Sequence, residues 1–285
     1  MAKGNLLLGT AKNSVGDVVM YRREGAQITR VRVRNVKNPK TDAQSFQRAI
    51  MAPIAKFYSP LSVVLERSFE GLSKAKSHNK FNQVNANLAR KNKWALPKGT
   101  GFFPLPYQLS QGTIPAISVT AETDGLTYFL PFGHEGEAPT TVGQVSADFI
   151  AAGYKAGDVV TVIGVRNDSI TKNYWPVSFQ FELDAAATTP IATLSSGGVK
   201  LNIDEDSKYV IIQENDLIVA AAIIVSRFDG TMWRRSTQSL VVAPALITEV
   251  TADAAVAAAI ASYGMTAGDG NPLVYLDGDE LADGQ

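Results

Sequence analysis

The sequence after residue 115 is a series of short segments rich in β-branched and aromatic residues, which Gly, Asn, Asp and Pro separate. The segments lie at residues 116–132, 158–167, 177–184, 200–213, 216–228, 233–242 and 272–278. Strands at such spacing are typical of an antiparallel β-sandwich, in which each sheet buries one face against the other. Short helices are expected at residues 145–154 and 253–263, and the Asp-Gly step within residues 228–232 predicts a hairpin turn.

The N-terminal part predicts a β-hairpin followed by helices. Residues 18–21 and 26–36 form the two strands, and Gly25 supplies the turn. Thr41 or Asp42 caps a first helix, in which Pro53 should produce a kink or a break. Its inward residues recur at helical spacing and are Phe46, Ile50, Ile54 and Phe57.

Two further helices are expected after the first. One starts at Ser59-Pro60 and turns Leu61, Val64, Leu65 and Phe69 inward, and the other covers residues 79–92. The fold class is therefore α+β, with an N-terminal β-hairpin plus helices and a C-terminal, mainly antiparallel β-sandwich.

The charge of the chain changes sign along its length. Residues 1–110 contain 19 Lys+Arg and 5 Asp+Glu, whereas the rest contains 8 and 22. The change falls near a Pro/Gly-rich segment at residues 97–115, which favours a linker. We therefore predict a basic hairpin-plus-helices domain at 1–98, a linker at 99–113 and an acidic β-sandwich domain at 114–285. A basic part predicts an anionic partner, or attraction between the two halves within one chain or between subunits.

Few residues in this chain favour catalysis. There is no Cys, so thiolate metal sites and disulfides are excluded. The two histidines, His78 and His134, are far apart, and His134 with Glu135 and Glu137 is better explained by a solvated loop than by a metal site. Phosphate-binding and nucleophile motifs are missing from the sequence. We expect a non-enzymatic protein without metal or cofactor.

The apolar runs of the sequence are short. The first, in residues 1–10, is too short for the apolar region of a signal peptide, and residues 217–225 are too few to cross a bilayer as a helix. We therefore expect no membrane association and no secretion by a signal peptide. Residues 217–225 are interpreted as a buried strand.

The strongest functional signal is the segment TRVRVRN at residues 29–35. Alternate residues of a strand share a face, so Arg30, Arg32 and Arg34 lie on one side and Thr29, Val31 and Val33 pack on the other. Guanidinium groups pair with phosphates, and single-strand binders combine basic grooves with aromatic side chains. The predicted nucleic-acid-binding residues are Tyr21, Arg22, Arg23, Arg30, Arg32, Arg34, Lys37 and Lys40. Further basic residues recur at 74–93, next to Trp94.

Two functions fit these features. In the first, the basic N-terminal module binds the phosphates of nucleic acid, expected to be single-stranded, and the acidic sandwich mediates self-association or binds a protein. In the second, the chain is a virion structural or assembly protein whose oppositely charged domains pack between subunits. Both functions predict a homo-oligomer. The sequence does not distinguish DNA from RNA.

The N-terminal segment resembles an uncharacterised family of gut-bacterial phages and mobile elements. The resemblance rests on Gly16-Asp17-Val18-Val19-Met20-Tyr21 and on Asn38-Pro39-Lys40-Thr41-Asp42-Ala43-Gln44 with Arg48. Residues 224–237 are also similar to the C-terminal part of such proteins. Members are labelled DNA-binding or phage structural protein, or have no assigned activity. The resemblance implies a location in the cytoplasm of a bacterial host or in a virion, and it supplies no catalytic residues.

Overall fold

A computed structural model describes residues 13–15, 18–23, 26–32, 41–98, 103–122, 127–167, 174–213, 217–244, 247 and 252–263. Contacts divide the chain into two units, Met1–Lys40 and Thr41–Gln285, and each is described by itself. The helices and the mainly antiparallel sheets confirm the α+β fold class.

The first unit contains a three-stranded antiparallel sheet. Its strands are β1 (Asn13–Val15), β2 (Val18–Arg23) and β3 (Ala26–Val31), in the order β1-β2-β3. The predicted hairpin is confirmed as β2 and β3, and β1 adds a strand that was not predicted. The predicted extension of the second strand to residue 36 lies mostly outside the described residues.

The face of β3 that carries Thr29 and Val31 is exposed. Val31 is 73% exposed, so the prediction that it packs inward is wrong, and Val33, for which the same was predicted, lies outside the described residues. The physical reason is the lack of a covering layer: among the residues of this sheet whose side chains are described, none is buried. Three strands gain independent stability when a layer covers one apolar face.

The second unit begins with helix α1 (Asp42–Tyr58), which Thr41 caps as predicted by accepting a hydrogen bond from the Gln44 N–H. The helix continues through Pro53, so of the kink or break that was predicted, the break is wrong. Proline cannot donate to the carbonyl of Ala49, four residues before it. That carbonyl instead accepts a hydrogen bond of 3.2 Å from the Leu96 N–H, so no backbone acceptor is left unsatisfied there.

The helix predicted to start at Ser59 is wrong, because residues 59–71 form turns and one isolated bridge. Ser59 is instead the C-cap of α1. The apolar spacing was nevertheless informative: Leu61, Leu65 and Phe69 are buried, and Val64 packs against the core. The third predicted helix is confirmed as α2 (Lys74–Lys91), which begins five residues earlier than expected.

Two larger sheets form the rest of the second unit. The strands are β4 (Gln108–Ser110), β5 (Thr120–Ala121), β6 (Tyr128–Gly133), β7 (Val159–Asn167), β8 (Tyr174–Glu182), β9 (Ser195–Ser196), β10 (Val199–Ile203), β11 (Lys208–Gln213), β12 (Leu217–Phe228), β13 (Trp233–Arg235), β14 (Gln238–Ser239) and β15 (Val241–Val242). The first sheet has the order β5-β6-β11-β10-β9, and the second has the order β13-β12-β7-β8, with β15 also pairing β12. A separate pair joins β14 to β4.

Two helices and a turn of the second unit were also expected. Helices α3 (Val142–Ala151) and α4 (Asp253–Ala261) confirm the two short helices, within a few residues. A short 3₁₀ helix, Ile191–Thr193, was not predicted. The predicted Asp-Gly hairpin joins β12 to β13 by a four-residue loop, with Gly230 at a positive φ of 89°. The strand predicted at 272–278 lies outside the described residues.

The second sheet is covered on both faces. On one face, Val160 of β7 and Ile223 of β12 share a core with Tyr128 and Ile211 of the first sheet. The opposite face contributes alternate residues of β7 and β12 to a core with the helices. These residues are Ile163, Val165, Ala220, Ala222 and Ile224, and the core also contains Phe57, Phe81 and Ile260. The unit therefore has three layers, one of helices and two of strands.

The two sheets lie close together at Gly164 in β7. A Cβ atom at this position would lie 2.7 Å from Cγ1 of Val199 in β10. Glycine within a strand costs backbone entropy, but here its lack of a side chain permits the close approach of the sheets.

The segment predicted as a linker contributes to the core. Phe103, Leu105, Tyr107 and Leu109 are buried, and β4 within this segment pairs with β14. The boundary that contacts indicate lies between Lys40 and Thr41, so it differs from the predicted boundary at 99–113. The basic helices and the acidic strands thus share one hydrophobic core.

Tyr107 provides a test of this core. Its ring lies 4.9 Å from that of Phe57, and its hydroxyl is buried without a hydrogen-bond partner among the described residues. A buried hydroxyl without a partner is destabilising, so Tyr107→Phe is expected to leave the free energy of unfolding unchanged or to raise it by about 1 kcal/mol. Denaturant unfolding measures the change.

Tyr209 supplies the matched control, because its hydroxyl donates a 2.5 Å hydrogen bond to Oδ2 of Asp148. Tyr209→Phe removes the donor of that bond and is expected to lower the free energy of unfolding by about 1–3 kcal/mol. Equal losses in the two variants would contradict the assignment of an unpaired hydroxyl to Tyr107.

Candidate nucleic-acid interface

The eight predicted binding residues are only partly within the described chain. Tyr21, Arg22 and Arg23 lie in β2, where Arg22 is opposite Gln27 and Arg23 is opposite Ala26. Arg30 lies in β3, and Arg32 follows it. Arg34, Lys37 and Lys40 lie outside the described residues.

The register of β2 and β3 brings Tyr21 and Arg30 together. Arg30 pairs with Val19, and Ile28 pairs with Tyr21, so Tyr21 and Arg30 are diagonal neighbours on one face. The guanidinium carbon of Arg30 lies 5.7 Å from the centre of the Tyr21 ring, within the range of a cation–π interaction. Tyr21 is 38% exposed, and Arg30 is also exposed, so both groups are accessible to solvent.

The positive charge of this sheet has no internal counterion among the described residues. Neither Arg30 nor Arg32 has a described carboxylate within ion-pair distance, and both are exposed. Residues 1–40 contain nine Lys+Arg and two Asp+Glu. Like charges on one small unit repel each other, and an anionic partner relieves that repulsion.

The second group of basic residues differs from the first. Lys74 in α2 lies 2.8 Å from Glu66, and Lys93, which follows α2, lies 3.7 Å from Asp253, so part of the charge of this group is paired. Trp94 is only 5% exposed and packs in the helical core. An aromatic residue in that position cannot stack on a base, and α2 is therefore a weaker candidate than the N-terminal sheet.

Strand β1 was not predicted from the sequence. Val15 pairs with Val18, which leaves the two residues Gly16-Asp17 between the strands. A two-residue Gly-Asp connection is a known hairpin signal, so β1 was detectable from the sequence.

Two other kinds of functional feature, a metal site and a membrane-spanning helix, are not found among the described residues. Among them, no three His, Cys, Asp or Glu side chains are grouped as metal ligands. No described helix combines the length and the apolar character needed to cross a membrane.

Comparison with known proteins gives one match. Residues 9–125 match a family of unknown function (DUF6266), and the matched region is less than half of the chain. It includes the whole N-terminal sheet and both long helices. No curated protein and no solved structure matches the chain. The phage or mobile-element setting that the resemblance implies stays a prediction.

Proposed function

We propose that the N-terminal sheet binds the phosphates of nucleic acid, with a preference for single strands. One observation carries the proposal: the guanidinium of Arg30 lies over the ring of Tyr21 on an accessible face. Arg30 and Arg32 would pair with phosphates, and Tyr21 would supply a surface on which a base stacks.

The burial of this sheet supports coupling between binding and its stability. Its described side chains are exposed or half-buried and none is buried, so they gain little from the hydrophobic effect. A bound strand would cover one face, and its phosphates would reduce repulsion among the arginines. No described residue points to a reaction, so binding without catalysis is the function that we propose.

The test removes three arginine charges by substitution with glutamine, a polar and neutral residue. The variant Arg30→Gln/Arg32→Gln/Arg34→Gln is expected to bind a fluorescent single-stranded oligonucleotide at least about tenfold more weakly at moderate salt. For single strands, log K changes with log salt by about −0.7 per phosphate contact, so three lost contacts make the slope shallower by roughly 2. Fluorescence anisotropy across a salt series measures both quantities.

The matched control removes three charges from α2. Lys76→Gln/Lys80→Gln/Lys91→Gln causes the same loss of net charge in the basic half of the chain. We expect it to bind more tightly than the arginine variant at every salt concentration. Equal weakening by both variants would indicate that total charge, rather than the arginine face, determines binding.

A second candidate is a structural or assembly role, as in a virion. Val31 is an exposed apolar residue at the end of β3, and within the described residues β3 pairs only with β2. An unpaired strand edge and an exposed valine favour contact with a second copy, whose acidic strands would complement the basic sheet. A large particle by light scattering that dissociates in salt, together with no oligonucleotide binding, would favour this role.

A further inference from the structure

A cavity of about 1030 Å³ opens beside β6, α3 and the start of β11. It lies entirely in the second unit, so it is independent of the N-terminal sheet. Its lining combines aromatic and ionisable side chains, among them Phe129, Phe132, His134, Glu135, Asp148 and Lys208. A concave site with aromatic walls and a few convergent polar groups is the usual form of a small-molecule site.

The backbone fixes the polar groups of the cavity. His134 follows β6 directly, and its N–H donates a 2.9 Å hydrogen bond to the carbonyl of Ser207. Gly133 permits this approach, because a Cβ atom there would overlap that carbonyl. Asp148 lies on α3, which begins with a capping box formed by Thr141 and Gln144.

Three side chains form a hydrogen-bonded group at the edge of the cavity. Oδ2 of Asp148 accepts a 2.5 Å hydrogen bond from the Tyr209 hydroxyl and lies 2.8 Å from Nδ1 of His134. Burial, reinforced by the Asp148 carboxylate, raises the pKa of Tyr209, so its hydroxyl remains a donor. Neither Asp148 nor Tyr209 was identified from the sequence, and His134 is not the solvated loop residue expected there.

The shared carboxylate determines which nitrogen of His134 carries the proton. Oδ2 only accepts, so the neutral imidazole donates from Nδ1 and keeps Nε2 as an acceptor. The side chains of His134 and Asp148 are 16% and 20% exposed, which leaves them accessible to a ligand but not free to rotate into solvent. His134 is therefore a preoriented acceptor at the wall of the cavity.

The lining carries charges of both signs. Lys208 shares it with Glu135, Asp148 and Asp206, so a polar ligand there meets both donors and acceptors of hydrogen bonds. A ligand with several hydroxyls fits this mixture, because each hydroxyl donates one hydrogen bond, to a carboxylate or to Nε2 of His134, and can accept another from the ammonium group. The aromatic ring of Phe132 suits a ligand that also presents C–H groups.

We propose that this cavity binds a neutral carbohydrate. Nε2 of His134 accepts a hydrogen bond from a sugar hydroxyl, and Asp148 orients the imidazole. Phe132 contacts the C–H groups of the sugar ring. Phe132 is itself held by an edge contact with Phe149, at 4.8 Å between ring centres, so the apolar wall is fixed before binding.

Saturation-transfer NMR on the full chain tests the proposal. The probes are glucose, galactose, mannose, N-acetylglucosamine, cellobiose and lactose, with choline and glucuronate as charged competitors. We expect at least one neutral sugar to bind, with neither charged probe binding as tightly. His134→Ala should weaken that binding by about tenfold, the effect of one lost hydrogen bond to a polar ligand group.

Two further variants separate binding from folding. His134→Gln keeps an acceptor near the position of Nε2, so it should recover part of the affinity that His134→Ala loses. Glu137→Gln alters an exposed residue of the same loop outside the cavity lining and should bind like the unaltered protein. Melting curves verify that each variant is folded. The proposal is overturned if no neutral sugar binds, if a charged probe binds more tightly, or if folded His134→Ala binds as the unaltered chain does.

Discussion

Replacing Arg227 with leucine is expected to lower the free energy of unfolding by about 3–5 kcal/mol, because it leaves a buried carboxylate without its cation. Asp158 is that carboxylate, and none of its side chain is exposed. Nε and Nη2 of Arg227 donate to its two oxygens at 2.6 and 2.7 Å. The hydrogen bonds to Asp158 raise the pKa of Arg227, so the arginine stays charged at neutral pH. Denaturant unfolding at neutral pH measures the loss.

A double variant identifies the cause of this loss. Asp158→Leu/Arg227→Leu removes both charges, so it should be more stable than Arg227→Leu alone. Arg234→Leu is a second comparison, because the Arg234 side chain is 39% exposed in its contacts with Glu70 and Asp229. Its loss should be clearly smaller than that of Arg227→Leu, because solvent screens the pair. A loss below about 1 kcal/mol in Arg227→Leu would indicate that Asp158 gains solvent or another partner.

Truncation of Phe57 and truncation of Phe149 are each expected to cost about 3–5 kcal/mol and to shift one common unfolding transition. Both side chains are fully buried, Phe57 in the helical core and Phe149 in the core between the sheets. The two cores lie on opposite faces of β7 and β12, so neither can be lost without exposing those strands. Calorimetry of Phe57→Ala and of Phe149→Ala measures the number of transitions and the melting temperature of each variant.

Val63→Ala provides the control for this pair, since Val63 is 81% exposed. Its free energy of unfolding should change by no more than about 0.5 kcal/mol. Two separate transitions, one moved by Phe57→Ala and the other by Phe149→Ala, would contradict a common core. Such a result would instead support the predicted domains at 1–98 and 114–285.

Local sequence rules predicted the elements better than their ends and contacts. The cap at Thr41, the inward stripe of α1 and most strands of the sandwich followed from spacing and residue type. Pro53 failed as a helix breaker because the partner of the freed Ala49 carbonyl is Leu96, far along the chain. No local pattern contains that information.

Two other differences have separate causes. The Pro/Gly content of residues 97–115 favoured a linker, although Phe103, Leu105, Tyr107 and Leu109 alternate as in a strand with one buried face. The alternation of these four residues therefore indicated a buried strand, but the Pro/Gly content of the segment was given more weight. The exposure of Val31 was not predictable, because alternation identifies two faces of a strand but not whether another layer covers either of them.

The candidate interface was predicted in composition but not in geometry. Residue types indicated Tyr21 and Arg30, and only the register between β2 and β3 places the guanidinium over the ring. The hydrogen-bonded group at the cavity was even harder to predict from the sequence. His134, Asp148 and Tyr209 come from three elements that are adjacent only after the first sheet and α3 have packed.

The order in which the layers are synthesised has a consequence for the cell. Helices α1 and α2 are complete at Lys91, whereas β12, which covers their apolar faces, ends at Phe228. At about 5–20 residues per second, a ribosome takes on the order of ten seconds to add the intervening chain. During that interval Phe46, Ile50 and Phe57 lack the part of their core that β12 supplies. The nascent helices should therefore recruit chaperones that shield apolar surfaces. These chaperones should remain bound until β12 has left the exit tunnel.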